Sequence, residues 1–253
     1  MKYQLNLFFN ALTFYSRLPA PGWVEYSDRN LQRSAPYISW VGLLIGALAA
    51  FSYWLSTRVL PEDIAIVLSM MVTLWATGAF HEDGLADCVD GLGGGWTTER
   101  VLEIMKDSRV GSYGVIALII ALLMKFQALS HISLLIPVLL LSHCLSRFIA
   151  LSLMYTEPYV RSHDSKAGRA TTTPDTVTLL TALLPVAFCF LLLQWQALLV
   201  LAPLLLLRQW LVGLFRRRIG GYTGDCLGAC QQLSEILIYL FFCLPWFLVP
   251  AGS

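Results

Sequence analysis

The chain has 253 residues, 57% of them hydrophobic and 13% charged, against about 25% charged in an ordinary soluble domain. Lys and Arg number 17 against 16 Asp and Glu, a net charge of +1, which excludes the strong basic field of a nucleic-acid binder. Such an apolar composition also excludes intrinsic disorder. Its apolar blocks approach the roughly 20 residues a bilayer crossing needs, so the chain reads as all-α, a polytopic integral membrane helical bundle.

Residues 3–18 form an amphipathic stretch, with Leu5, Phe8, Phe9, Leu12 and Tyr15 at helical spacing and Asn6, Asn10, Thr13 and Arg17 elsewhere. This is the pattern of a helix lying in the membrane interface. The stretch ends at Pro19 without a small-residue cleavage site, so no cleavable leader is expected. Seven apolar runs follow, at 37–57, 62–80, 110–130, 132–154, 177–193, 197–215 and 226–249. Each is expected to be a transmembrane helix, since lipid forces backbone polar groups to be satisfied within the segment. Gly42 and Gly46 make a close-packing step in the first. The whole chain, 1–253, reads as one membrane domain: an interfacial segment over 1–36, then a bundle over 37–249 with polar connections at 81–109, 156–176 and 216–225. No internal repeat of the kind found in inverted-repeat transporters is visible. Cys144, Cys189 and Cys243 lie inside apolar runs, while Cys226 and Cys230 lack a further ligand pair, so the six cysteines read as packing residues rather than disulfides or a zinc site.

Basic residues concentrate on one side. Lys2, Arg17, Arg29 and Arg33 precede the first run, Arg100, Lys106 and Arg109 lie in the 81–109 connection, Arg161, Lys166 and Arg169 in 156–176, and Arg216, Arg217 and Arg218 in 216–225. Arg58 lies near one turn on the opposite side. The positive-inside rule then puts the N-terminus in the cytoplasm, and with it every long polar connection.

The densest polar feature is the segment from His81 to Gly91. Asp83, Asp87 and Asp90 stand at i, i+4 and i+7, so one helical face presents three carboxylates that repel one another. A cation relieves that repulsion, and hard oxygen ligands suit Mg²⁺, which also binds phosphate oxygens. Small residues, Gly84, Ala86 and Gly91, leave room for a bulky anion. The plainer alternative is an acidic, solvated helix end. Glu82 projects to another face, and His81 alone suits a hydrogen-bonded boundary residue.

A second segment runs from Arg100 to Gly114. Its Lys106 and Arg109 are cations close to the acidic run, and Asp107-Ser108-Arg109 leads into a glycine turn; Arg grips phosphate bidentately, although cations beside a span also satisfy topology alone. A third, Gly220-Gly221-Tyr222-Thr223-Gly224-Asp225, precedes the last run. A glycine loop before a helix N-terminus offers N–H groups to an anion, but Thr223 is equally a simple N-cap. Inside the runs, Arg147, Arg208 and Glu235 lie roughly 10–15 Å from the cytoplasmic end at 1.5 Å per residue. Such groups face a cavity or a partner, and a cytoplasm-open cavity ringed by them is expected. Lys125 is expected to snorkel toward the outer surface.

Three pieces together resemble the cobalamin synthase family, the adenosylcobinamide-GDP ribazoletransferases: H-x-D-G-L-A-D-x-x-D-G from His81 to Gly91, L-E-I-M-K-D-S-R-x-G from Leu102 to Gly111, and G-x-T-G-D-x-L-G-A from Gly221 to Ala229. Ser16-Arg17-Leu18-Pro19 also looks like the family's N-terminus. The resemblance spans essentially the whole chain. It implies a Mg²⁺-dependent enzyme of the prokaryotic cytoplasmic membrane that joins adenosylcobinamide-GDP to α-ribazole or its 5′-phosphate and releases GMP. Asp83, Asp87, Lys106, Asp107, Arg109 and Asp225 are the expected catalytic residues, with Asp83, Asp87, Asp90 and Glu82 as metal ligands. Substrate contact is expected from Arg17, His81, Gly84, Asp90, Ser108, Arg147, Arg208, Gly221, Thr223 and Gly224. The expected partners are the two substrates, membrane lipid, further corrinoid-pathway enzymes and a second copy of the chain, with no nucleic acid. Two rivals stand beside this reading. A CDP-alcohol phosphotransferase also sets aspartates at a membrane face, but its D-G-x-x-A-R…G-x-x-x-D-x-x-x-D spacing is not present. A transporter for a cation or a corrinoid fits poorly with charges clustered at one face.

Overall fold

The seven apolar runs are mainly helical over the residues that the computed structural model describes, 2–161 and 175–247. Eleven α-helices occur among the described residues: α1 (Lys2–Tyr15), α2 (Asp28–Arg33), α3 (Ile38–Ser56), α4 (Glu62–Thr77), α5 (Phe80–Gly94), α6 (Thr98–Lys106), α7 (Ser112–Leu129), α8 (Leu135–Thr156), α9 (Thr176–Leu191), α10 (Leu201–Ile219) and α11 (Gly224–Phe242). The extended backbone that pairs among these residues is a single parallel bridge between Tyr159 and Tyr222.

Among the described residues four segments are long and apolar enough to cross a membrane: Ala35–Ser56, Ser112–Leu129, Leu135–Thr156 and Trp195–Ile219. The expectation of seven uniform spans is therefore refined. Helix α9 is apolar but short, and α11 carries Gln231, Gln232, Ser234 and Glu235 in its middle. The second run is not one straight helix. Helices α4 and α5 together qualify as a fifth span, bent by 84° at their junction.

That bend has a local cause. Gly78 and Ala79 both adopt left-handed backbone, φ 66° and 55°, which ends α4 and restarts the chain in a new direction. Glycine takes this conformation freely, whereas an alanine there is strained by about 1–2 kcal/mol. The Arg17 side chain lies across Gly78, where any Cβ would collide with it, and the Arg17 N–H donates to the Ala76 carbonyl at 2.7 Å. The segment after α1 thus clamps the bend.

Helix α1 buries Leu7, Ala11 and Leu12 and joins a small core with Val41, Ile45 and Ala76. Here the structure corrects the amphipathic reading. Leu5 is exposed, while Asn6 and Asn10 turn inward, and both donate side-chain N–H groups to the Glu25 carbonyl, at 3.2 and 3.1 Å. Helices α3 and α8 cross closely, because a Cβ on Gly46 would lie only 2.9 Å from the Leu139 carbonyl oxygen. The main core runs through α8 and α11, from Leu141, Leu145 and Leu151 to Cys230, Ile238 and Tyr239.

Candidate functional site

The acidic segment is helical, as its carboxylate spacing implies, and it is packed rather than a solvated helix end. It is α5, a helix that buries Leu85, Ala86 and Cys88 and packs along α7 and α11. Its glycines set the distance. A Cβ on Gly84 would sit 3.2 Å from the Gly228 Cα and 3.3 Å from the Asp225 Cα, so the two backbones touch. That contact sets Asp83 and Asp87, which flank Gly84, beside Asp225 in the first turn of α11. All three carboxylates lie within electrostatic reach of one another. Asp83 is exposed and Asp87 half-buried, so the face they share is accessible.

A cation missing from the expected site completes the group. The Arg161 guanidinium pairs with Asp225 at 2.7 Å. It is brought there by the Tyr159–Tyr222 bridge, in which the Tyr222 N–H donates to the Pro158 carbonyl at 2.9 Å and the Val160 N–H to the Tyr222 carbonyl at 3.1 Å. Gly221 makes this possible, since a Cβ there would collide with the Pro158 carbonyl oxygen. In the sequence Arg161 is one more topological charge; its place opposite the glycine loop emerges only from the chain pairing. Residues 162–174 of the 156–176 connection, Lys166 and Arg169 among them, lie outside the described residues.

Thr223 is the N-cap of α11, its Oγ1 accepting from the Cys226 N–H at 3.3 Å, so the simpler of its two expected roles is the one seen. Asp90 faces elsewhere. It is buried, and its two oxygens accept the Gly111 and Gly114 N–H groups at 2.7 and 2.8 Å, tying α5 to the start of α7. Glu82 leaves the acidic face altogether, accepting from Gln232 Nε2 at 2.8 Å and standing 3.7 Å from Lys125 Nζ.

Lys106, Ser108 and Arg109 are exposed. Arg109 grips Asp107, with Nη2 2.7 Å from Oδ2 and Nε 3.1 Å from Oδ1. Those side-chain bonds, with the Arg109 backbone N–H, pull the Asp107 carboxyl down to about 2 and raise the guanidinium in turn. Arg216 binds Glu157 at 2.6 and 2.8 Å, and Arg218 donates to the Leu92 and Gly95 carbonyls at 3.0 and 2.6 Å, which ties the end of α5 to α10.

The buried charges do not ring one cavity as expected. Arg208 is satisfied within the protein by Ser152 Oγ and the Ser152 carbonyl at 2.7 and 2.8 Å and by Thr156 Oγ1 at 2.6 Å. Glu235 pairs with Lys125 at 2.8 Å and also accepts from Gln231 Nε2 at 2.6 Å. Lys125 therefore does not snorkel outward; it is 6% exposed and neutralises a carboxylate in the bundle. Arg147 bonds within its own helix, donating to the His143 carbonyl at 2.9 Å. Arg17 lies at the α4–α5 bend rather than among the carboxylates.

Among the described residues no three His, Cys, Asp or Glu converge into a closed metal cage. The donor set is nonetheless of one kind: hard carboxylate oxygens from Asp83, Asp87 and Asp225 at an accessible mouth. That fits an ion such as Mg²⁺, which is held by one or two carboxylates and completed by water and substrate phosphates.

Comparison with known proteins places this architecture. The profile of the cobalamin-5-phosphate synthase family matches residues 7–243. The chain belongs to that family. It is 46% identical over 244 residues to the adenosylcobinamide-GDP ribazoletransferase of Shewanella pealeana, covering 94% of each chain. It is likewise 46% identical over 253 residues to the enzyme of that name from Vibrio cholerae, covering 95% of this chain and 94% of the relative. No solved structure matches. Family membership makes the chain an enzyme of cobalamin biosynthesis and decides against the CDP-alcohol phosphotransferase and transporter readings. The acidic helix, the Asp107-Ser108-Arg109 turn and the glycine loop all fall inside the matched span.

Proposed function

We propose that this membrane protein is an adenosylcobinamide-GDP ribazoletransferase, acting at the cytoplasmic face of a prokaryotic cytoplasmic membrane. The observation that carries the reading is the Gly84–Gly228 contact, which gathers Asp83, Asp87 and Asp225 with Arg161 on one accessible face. The bias of Lys and Arg toward the connections on that side supports the orientation.

In the reaction the 3′-hydroxyl of α-ribazole, or of its 5′-phosphate, attacks the cobinamide-side phosphorus of the pyrophosphate. A new P–O bond forms, the bond to the GMP oxygen breaks, and the hydroxyl proton is lost. Such chemistry depends on positioning and charge neutralisation. Asp83 and Asp87 would hold Mg²⁺, which when bound neutralises pyrophosphate charge. Arg161 has guanidinium N–H groups beyond its Asp225 contact with which to orient phosphate oxygens. Arg109 and Lys106, both exposed, would meet the departing GMP. Asp107 is a poor proton acceptor, because its pairing with Arg109 holds it at about 2, far below the working range of a general base. Asp225 is the remaining candidate of the two, placed at the same face.

The test is GMP release by purified, lipid-reconstituted protein given adenosylcobinamide-GDP, α-ribazole and Mg²⁺, with each omitted in turn. Release that requires all three, with cobalamin formed in step, establishes the reading. Absence of release from folded protein that binds the corrinoid rejects it.

A further inference from the structure

The chain turns from α5 into α6 through Gly93-Gly94-Gly95-Trp96, and Trp96 is 96% exposed, an indole with almost no cover from the described residues. Two membrane spans fix its height. On one side Tyr113, at the start of the span Ser112–Leu129, packs on the end of α5, so closely that a Cβ on Gly93 would lie 3.0 Å from its ring. On the other side Arg218, at the end of the span Trp195–Ile219, donates to the Gly95 carbonyl at 2.6 Å. Its own carbonyl accepts from Thr98 Oγ1 at 3.0 Å. Trp96 therefore stands between the ends of two spans, at the level where both leave the hydrocarbon. Those spans turn apolar faces outward, with Ile116, Ile119 and Leu123 on α7 and Leu205, Leu206 and Trp210 on α10 all exposed.

We infer that Trp96 anchors the α5–α6 hairpin in the lipid interface, its indole inserted among the headgroups of the leaflet that α7 and α10 enter at that end. Tryptophan and tyrosine favour this zone, where the ring meets apolar chains while the indole N–H stays hydrated. The zone is roughly 5–8 Å deep on each side of the hydrocarbon core, which accommodates a residue one turn beyond Tyr113 and Arg218. Charge agrees with the placement. Arg217 is exposed next to Arg218 and suits an anionic headgroup, and α6 then presents Glu99, Arg100, Glu103 and Lys106, all exposed, to water. Contact with the reacting phosphates is less well placed, because Trp96 lies past the end of α5, roughly 13 Å along it from Asp87 at 1.5 Å per residue. The anchor instead holds the far end of the helix that carries Asp83 and Asp87. It concerns where the hairpin sits, so it stands independently of the transferase reading.

The experiment uses the full chain, labelled with fluorotryptophan and reconstituted in lipid nanodiscs. It reads the fluorine NMR signal of Trp96, assigned by its loss in Trp96→Phe, or in Trp96→Tyr should that variant fail to fold. Two relaxation agents probe its surroundings: a lipid spin-labelled just below its headgroup, and a water-soluble gadolinium chelate. The lipid label is expected to weaken the Trp96 signal severalfold, and the chelate to weaken it far less than it weakens free fluorotryptophan. Trp210, in the middle of α10, is the reference for the hydrocarbon, and its signal should respond more to a lipid labelled at the end of its chain. A larger effect of the chelate than of the lipid label on Trp96 puts the indole in water and overturns the inference. Insensitivity to both agents, as a protein partner covering the tip predicts, also overturns it. So does a Trp96 signal that adenosylcobinamide-GDP shifts and shields from the lipid label, as a substrate contact predicts.

Discussion

Gly84 on α5 and Gly228 on α11 meet backbone to backbone, each so close that a Cβ on it would approach the other's Cα to 3.2 or 3.1 Å. Small residues allow this approach between membrane helices, and here the approach sets the spacing of Asp83 and Asp87 from Asp225. Gly84→Val is therefore expected to force the helices apart, at a cost of about 1–3 kcal/mol of overpacking. Turnover should fall more than stability does, because the carboxylates lose their common face while the surrounding core persists. GMP release measured beside thermal unfolding checks this; equal turnover in a variant with lowered unfolding temperature would show that the contact serves packing alone.

The carboxylates of the acidic helix separate into two roles. Asp83→Asn and Asp87→Asn are expected to lower turnover by about 10²–10³-fold, the scale of losing one preorganised electrostatic group, and to raise the Mg²⁺ concentration required. Asp90→Asn should behave differently. Its carboxylate accepts two backbone N–H groups at the start of α7, and an amide can accept only through one atom and presents a donor at the other. It is expected to lose about 1–2 kcal/mol of stability with the Mg²⁺ requirement unchanged. A Mg²⁺ titration of the three variants distinguishes the roles. A shifted requirement in Asp90→Asn and none in Asp83→Asn would reverse the assignment.

Much of this is readable from composition. Apolar runs of near-bilayer length announce helices whatever their packing, and the spacing of Asp83 and Asp87 places both on one face. The bend between α4 and α5 is not readable, because it depends on Ala79 adopting a left-handed backbone, which alanine does not advertise. For the same reason α5 passes for a polar connection: its apolar positions, Leu85 and Cys88, are few, and its glycines signal room for a ligand rather than contact with α11. The replacement of Asp90 by Asp225 at the shared face, and the arrival of Arg161, come from pairings between segments far apart in the chain. Lys125 departs from its expected place on similar grounds, since depth in a run says nothing of which helix stands opposite.

The pH response gives a third prediction. The Asp107 carboxyl is held at about 2 by its bonds to Arg109, below its ordinary value. A depressed folded-state value means that the pair is fully formed above the ordinary carboxylate range, near 4, and opens only as the pH falls toward 2. Between pH 5 and 8 Asp107 stays ionised, so any acid limb in the rate profile belongs to another group. Asp107→Asn is expected to lower the rate by freeing Arg109 without moving the midpoint of that limb. A midpoint displaced by a full pH unit in the variant would return Asp107 to the list of proton acceptors.

Lys125 and Glu235 carry the last prediction. Their charged groups lie 2.8 Å apart with side chains only 7% and 5% exposed, and Glu235 also accepts from Gln231. Removing one partner leaves the other charge buried, which costs about 3–5 kcal/mol. Lys125→Met is expected to destabilise the protein by that amount, since Glu235 keeps its hydrogen bonds but loses its cation. Lys125→Met combined with Glu235→Gln removes both charges and should recover most of the loss, because the amide still bonds within the Gln231 and Tyr239 cluster. Thermal unfolding of the two single variants and the double variant in lipid measures the coupling. Additive losses would mean that the two charges are stabilised independently, Glu235 by its neighbouring hydrogen bonds and Lys125 by Glu82, which stands 3.7 Å away.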